Sequence, residues 1–324
     1  MDAVAMEREV FSVMPMMPAW SSVFNEAMVD FWGGEVLWQQ SMAEYTTYKV
    51  GGPAEAMVFP CGIKELGGLL SGVRQLDIPW RVIGGGSNIL VADEGLLGVT
   101  IVLNKGFAAK EVVQDSEGAV LVKVETGSSL ASFVNWCVEH CLTGMEFAVG
   151  IPGSVGGALV MNAGAFGGDI SKVLSMVTLM DEQGNVTTKD ASEMNYGYRH
   201  WGEEAGQIAL EGFFLLRRGD KQAIRTSCRK LLESRRTHQP VGPSCGSFFK
   251  NPPGDDSAGA LIDRAGLKGI QVGGAMVSTK HANFLVNKGK ATAKDLVRLM
   301  QLIQSEVKEK FGVFLEPEVK LLGF

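Results

Sequence analysis

Cysteine and histidine are scarce, five and four in a chain of 324 residues. Cys61, Cys137, Cys141, Cys228 and Cys245 are scattered and odd in number, with no Cys-x-x-Cys step and no Cys/His zinc spacing. That excludes a disulfide framework and a structural zinc site, and it reads as free thiols in a reducing cytoplasm. No two histidines stand at metal-binding spacing, so no metal is expected, and His281 reads as a hydrogen-bonded structural residue. Basic residues are outnumbered, 30 against 36, for a net charge of −6. This argues against sequence-independent nucleic-acid binding and leaves small anionic ligands open. The N-terminus sets Asp2, Glu7 and Glu9 against Arg8 and so lacks the cationic start of a signal peptide. Long aliphatic runs are missing too. The uncharged stretch from Phe147 to Gly168 is interrupted by glycines, Pro152, Ser154 and Asn162. Such a composition disfavours a membrane span and predicts a buried, glycine-lined loop system.

Hydrophobic residues make up 46% of the chain, enough for a sizeable core, and the length suggests two or three domains. Glycine is abundant, 41 residues, and not periodic, so it serves turns and close backbone approach rather than a collagen repeat. Residues 1–44 show little period and are left as an unassigned N-terminal extension. From there strands and helices alternate. Strands are predicted at 56–59, 80–83, 99–103, 119–125 and 207–217, and helices at 63–76, 129–140 and 221–237. Segments 174–180 and 186–189 flank Glu182-Gln183-Gly184-Asn185, a hairpin signal. The last helix has Thr292 as N-cap, Asp295 three residues on, an apolar stripe of Leu296, Leu299, Met300, Ile303 and Val307, and Gly312 as its stop. A terminal strand follows at 319–322. The pattern is α+β, in units of about 45–105, 106–219 and 220–324.

Three segments carry candidate chemistry. The strand at 80–83 runs into Gly84-Gly85-Gly86-Ser87-Asn88, where successive N–H groups offer an anion nest and two side chains add hydrogen bonds. Neither the Gly-x-Gly-x-x-Gly fingerprint nor a P-loop is present there, and alone the segment reads first as a tight turn. A second block holds Gly150, Ile151, Pro152, Gly153, Ser154, Gly156 and Gly157, then Asn162, Gly164 and Ala165. Backbone donors beside apolar side chains suit a flat, polar-edged ring such as an isoalloxazine; close core packing is the competing reading. In the third, Ser247 follows Gly246 and precedes Phe248 and Phe249, without the Gly-x-Ser-x-Gly elbow of a hydrolase. Taken singly, Ser247 is structural, Arg199 a surface arginine, and Glu318 a solvent-facing strand residue.

Their order is more specific than any one of them. Thr47-Tyr48-Lys49-Val50-Gly51-Gly52, the Gly84–Asn88 loop, the Gly150–Gly168 block and Gly197-Tyr198-Arg199 come first. Cys245-Gly246-Ser247-Phe248-Phe249-Lys250-Asn251-Pro252, Gly266-Leu267-Lys268-Gly269 and Leu315-Glu316-Pro317-Glu318-Val319 follow. Over about residues 45–324 the chain resembles the UDP-N-acetylenolpyruvoylglucosamine reductase family, flavoenzymes of peptidoglycan precursor synthesis. The resemblance implies a two-part FAD-binding region of the vanillyl-alcohol-oxidase type (45–105 and 106–219) and a C-terminal α+β substrate domain (220–324). It implies the family's shorter variety, since only Pro252–Ser257 separates Asn251 from the next helix. It also implies the reaction: NADPH reduces FAD, and hydride passes from flavin N5 to the vinyl carbon of UDP-N-acetylglucosamine enolpyruvate. Ser247 then gives a proton to the adjacent carbon, with Arg199 and Glu318 supporting the developing enolate. By the same resemblance the Gly84–Asn88 loop and the Gly150–Ala165 residues named above hold the cofactor, and Tyr198, Asn251, Lys268 and His238 the substrate. His238 stands where the family often has lysine, so Arg235 or Arg236 is a candidate substitute. Two further readings remain: another flavin enzyme of the same superfamily, and a flavin-binding protein without catalysis. The first of these often tethers FAD through a histidine, but no histidine precedes His140, so FAD is expected to be non-covalent.

Overall fold

The structure, a computed structural model, describes residues 17–28, 32–202 and 206–324. Much of the unassigned N-terminal extension therefore lies outside the described residues. Its described part supplies a helix, Ser21–Met28, and a strand, Glu35–Ser41.

The first unit is a four-stranded sheet in the order Glu35–Ser41, Pro53–Phe59, Leu96–Val102, Trp80–Ile83. The first pair is antiparallel and the other two parallel. Parallel strands need cover on both faces, and the period-two pattern provides it. Ala56, Val58, Val99 and Ile101 pack against Leu66, Leu69, Leu70 and Val73 of the helix Ile63–Gln75. Met57, Phe59 and Val102 turn the other way, onto Met42 and Val91.

The second unit is an antiparallel sheet ordered Val186–Asp190, Leu174–Met180, Ile208–Arg218, Ala119–Glu125, Lys110–Ser116. The expected hairpin forms, with the Asp181 carboxylate accepting from the N–H groups of Gln183 and Asn185. Helix Leu130–Glu139, capped by Ser129, and the short helix Val155–Val160 cover Val120, Val122, Val124 and Phe214. The helix Lys221–His238 also packs here, its Lys221 and Arg225 paired with Glu139.

The third unit joins a small sheet, Gln271–Val272, Ala275–Val277 and Leu285–Asn287, to the helices Ala258–Arg264 and Ala293–Phe311. The last helix is as the sequence reads: Thr292 and Asp295 form a capping box, the five stripe residues are buried, and Gly312 ends it at φ 69°. The chain then returns, and Lys320–Leu322 pairs in parallel with Ile89–Val91 of the first unit. Among the described residues no helix is long and apolar enough to cross a membrane.

Candidate active site

All three units wall one cavity of about 1600 Å³. On one side is the Gly84–Asn88 loop. The absent Cβ atoms of this loop face protein rather than the cavity. A Cβ on Gly84 would sit 2.6 Å from Ser154 Oγ, on Gly85 2.6 Å from Gly153 Cα, and on Gly86 1.8 Å from the Tyr45 carbonyl oxygen. Glycine is required so that this loop can lie directly on the Gly153–Gly157 segment. The side chains are likewise used within the protein: Ser87 Oγ donates to the Pro152 carbonyl (3.0 Å), and Asn88 Nδ2 to the Glu318 carbonyl (3.1 Å). What the loop offers the cavity is backbone. Among the described residues, the N–H groups of Gly85, Gly86, Ser87 and Asn88 donate to no protein acceptor. Four such donors in a cavity wall are what an anion needs. Against this loop, Ser154 caps the helix Val155–Val160 by accepting from Gly157 N–H at 3.1 Å.

Arg199, Glu318 and Ser247, from distant parts of the chain, line the same cavity. Arg199 Nε donates to Glu318 Oε1 at 2.8 Å, and its Nη2 to the Gly164 carbonyl at 3.3 Å. The two side chains are 22% and 13% exposed, so the pair is largely shielded from solvent. Arg199 stands at φ 63°, a strained backbone for a non-glycine residue and a mark of a functional constraint. Burial pushes the Glu318 carboxyl above its ordinary range, opposed by Arg199 and then by Lys250. Ser247 begins the extended segment Phe248–Lys250, which lies beside Glu316–Glu318: Glu318 N–H donates to the Phe248 carbonyl at 2.8 Å, and Lys250 N–H to the Glu316 carbonyl at 2.9 Å. Serine and carboxylate are thus carried on neighbouring strips of backbone.

The remaining expected site residues stand outside this wall. Asn162 is buried and donates to the Gly197 carbonyl at 3.0 Å, holding the loop that carries Arg199. Tyr198 is exposed, its ring 4.9 Å from the Arg199 guanidinium carbon. Asn251 Oδ1 accepts from Ala258 N–H at 3.1 Å, and Lys268 pairs with Asp263. His238 Nδ1 bonds back to the Ser234 carbonyl at 2.8 Å. Burial, and then the charges of Lys268 and His238, depress the pKa of His281. Three residues before His238, Arg235 does line the cavity. Its Cδ is 3.0 Å from where a Gly150 Cβ would sit, its guanidinium lies over Phe166 at 5.2 Å, and its buried Nε has no partner. Burial lowers its pKa, and among the described residues no carboxylate pairs with it. Thr126, whose hydroxyl donates to the Ala209 carbonyl at 2.7 Å, and Gly127 also line the cavity and were missed. Their signal was a strand ending in Thr-Gly just before the Ser129 helix cap.

This architecture has solved and sequenced relatives. A family model described as the C-terminal domain of UDP-N-acetylenolpyruvoylglucosamine reductase matches residues 237–322, and one described as an FAD binding domain matches 54–189. The reductase of that name from Caldanaerobacter subterraneus subsp. tengcongensis is 41% identical over 90% of this chain and 94% of its own. That from Streptococcus thermophilus is 40% identical over 93% and 98%. The crystal structure of UDP-N-acetylenolpyruvylglucosamine reductase from Thermus caldophilus superposes with a TM-score of 0.75 at 35% identity, covering 89% of this chain and 98% of that one. The expected α+β fold, an FAD-binding region followed by a C-terminal domain, is borne out. Identity at this level, spread over nine-tenths of the chain and nearly all of each relative, means that the chain belongs to the UDP-N-acetylenolpyruvoylglucosamine reductase family.

Proposed function

We propose that the protein catalyses, in the cytoplasm, the NADPH-dependent reduction of UDP-N-acetylglucosamine enolpyruvate to UDP-N-acetylmuramate, with bound FAD. Residues 45–105 and 106–219 hold the cofactor, and 220–324 the substrate. The observation that carries this reading is that Ser247, Arg199 and Glu318 line the same cavity as the glycine loop with its free N–H groups.

The residues present fit a dinucleotide. The N–H groups of Gly85–Asn88 would hold its diphosphate, and the Gly150–Ala165 backbone would supply polar groups to its ring. When bound, FAD takes hydride from NADPH and delivers it to the vinyl carbon of the enolpyruvyl ether. Negative charge then gathers on the neighbouring carbon and its carboxylate. Arg199 stabilises that charge, while Glu318 keeps the guanidinium in place and prevents the site from carrying an uncompensated cation before substrate enters. Ser247 donates its proton to the carbon bearing the carboxylate, which completes the addition of one hydride and one proton across the double bond. A serine hydroxyl is a weak acid in water, so this step relies on a cavity that shields Ser247 from bulk solvent. Arg235, rather than His238, supplies a second cation inside the cavity, while Lys268 and His238 receive the UDP half outside it.

An anaerobic two-step experiment tests the reading. NADPH is expected to bleach the yellow of the FAD-loaded protein, and the enolpyruvyl UDP-sugar to restore it. In Ser247→Ala bleaching stays at the wild-type rate, while return of colour slows by about 10²–10⁴-fold. Equal slowing of both steps would remove Ser247 from the donor role. A protein purified colourless that takes up no FAD would end the proposal.

A further inference from the structure

Before Ser247 the chain is anchored at Cys245, which is buried and whose Sγ donates to the Ile89 carbonyl at 3.3 Å. Gly246 stands at φ 76°, and a Cβ placed on it would meet nothing within 4 Å. Gly246 is thus an open joint between that anchor and the serine, so the placement of Ser247 also depends on the residues that follow. On one side of the Phe248–Lys250 segment the partners are the main chain of Glu316 and Glu318, as described above. On the other side one residue does everything. The Asn283 carbonyl accepts from Phe248 N–H at 2.8 Å, Asn283 Oδ1 accepts from Phe249 N–H at 2.9 Å, and Asn283 Nδ2 donates to the Phe249 carbonyl at 2.8 Å.

The Asn283 carboxamide thus imitates a strand edge, presenting one acceptor and one donor to a single residue's backbone. Of the uncharged side chains, only a primary amide offers both groups at that spacing. Asn283 is 3% exposed, does not line the cavity, and is itself anchored, its N–H donating to His281 Nδ1 at 3.3 Å. A buried amide with each polar atom paired to one strip of main chain fixes that strip more tightly than apolar packing does. We propose that Asn283 is a positioning residue that aims the Ser247 hydroxyl at the carbon receiving the proton, by clamping both backbone groups of Phe249. This rests on the proton-donor reading of Ser247.

The test uses FAD-loaded Asn283→Asp and Asn283→Leu, with rates counted per bound flavin. Aspartate keeps the acceptor and sets an oxygen against the Phe249 carbonyl; leucine keeps the volume and removes both bonds. Bleaching by NADPH is expected at the wild-type rate in both. Return of colour with the enolpyruvyl UDP-sugar is expected to slow by about 10- to 100-fold, the effect of misplacing a reacting group by about an ångström, with a larger solvent deuterium isotope effect on that step alone. A purely structural role would lower flavin occupancy or both rates together. Wild-type return of colour in either variant, or both rates falling by one factor, overturns the inference. Should Asn283→Leu not retain FAD, Asn283→Asp decides. Ser247→Ala run alongside separates the two ideas: if it leaves return of colour unchanged, the donor reading fails and takes the positioning role with it. If it slows that step and the Asn283 variants do not, only the positioning role fails.

Discussion

Within the Arg199–Glu318 pair two effects oppose each other at one carboxyl group. Removal from water favours the neutral acid; the guanidinium at 2.8 Å favours the anion. Burial wins, and the Glu318 pKa lies above its ordinary 4.5. The sign of the linkage follows. Folding favours protonated Glu318, so the native state loses stability as pH rises above about 4.5, until the folded carboxyl has ionised as well. Glu318→Gln, the same shape without the charge, lacks that dependence. The melting temperature of wild type minus that of Glu318→Gln is therefore expected to fall as pH rises through this window and then to level off. A difference that rises instead would mean that Arg199 outweighs burial. The variant also replaces the Arg199 counter-ion by a neutral carboxamide oxygen, so return of colour should suffer while NADPH bleaching persists.

Helices and strands differ in how much of themselves they write into sequence. The helix Ala293–Phe311 was legible at both ends and along its buried face, because Thr292, Asp295, the apolar stripe and Gly312 are local signals. A second cap on the same helix was not legible. The Asp93 carboxylate, from the first unit, accepts from Ala293 N–H at 2.8 Å and Lys294 N–H at 3.0 Å. A negative charge at these free donors also suits the helix dipole. Asp93→Ala is expected to destabilise the protein by about 1–2 kcal/mol, read from urea unfolding, and Asp93→Asn by less. No change in either would show that the Thr292 box suffices. The strand Lys110–Ser116 escaped notice for the opposite reason: it is an edge strand exposed along most of its length, so no apolar alternation marks it. The third-unit sheet hid because its strands are only two or three residues long. The site shows the same limit. Its segments could be found from local composition, but what each side chain bonds could not. Asn88 reaches Glu318 across 230 residues, and Asn162 reaches Gly197 across 35. Arg235 and His238 sit three apart on one helix, where chain spacing says they are neighbours. Only packing shows that Arg235 meets Gly150 and Phe166 while His238 folds back on Ser234.

Across the whole molecule the first and third units are tied together both at the cavity wall and in the core behind it. Lys320–Leu322 lies parallel to Ile89–Val91, Lys320 N–H donates to the Asn88 carbonyl at 2.9 Å, and Asn88 Nδ2 holds the Glu318 carbonyl. One asparagine thereby joins the Gly84–Asn88 loop to the backbone strip that carries the Glu318 carboxylate. Core packing follows the same lines: Tyr48, Val50 and Leu90 of the first unit are buried with Leu296, Leu299 and Ile303 of the last helix. Ending the chain at Val319 therefore removes more than a terminal strand. It leaves Ile89–Val91 without a partner on that side, frees the Asn88 carbonyl, and loosens the backbone on both sides of the cavity. FAD affinity, measured by quenching of flavin fluorescence, is expected to fall in the truncated protein. At equal free FAD its melting temperature should also gain less than that of the full chain, since ligand stabilisation grows with the ratio of ligand to Kd, about 2.7 kcal/mol at a hundredfold excess. Removing Phe324 alone, which is exposed, should change neither quantity. Full FAD affinity after truncation at Val319 would show that the glycine loop is set by its contact with Gly153 and Ser154 alone, and that the returning strand serves only the substrate side.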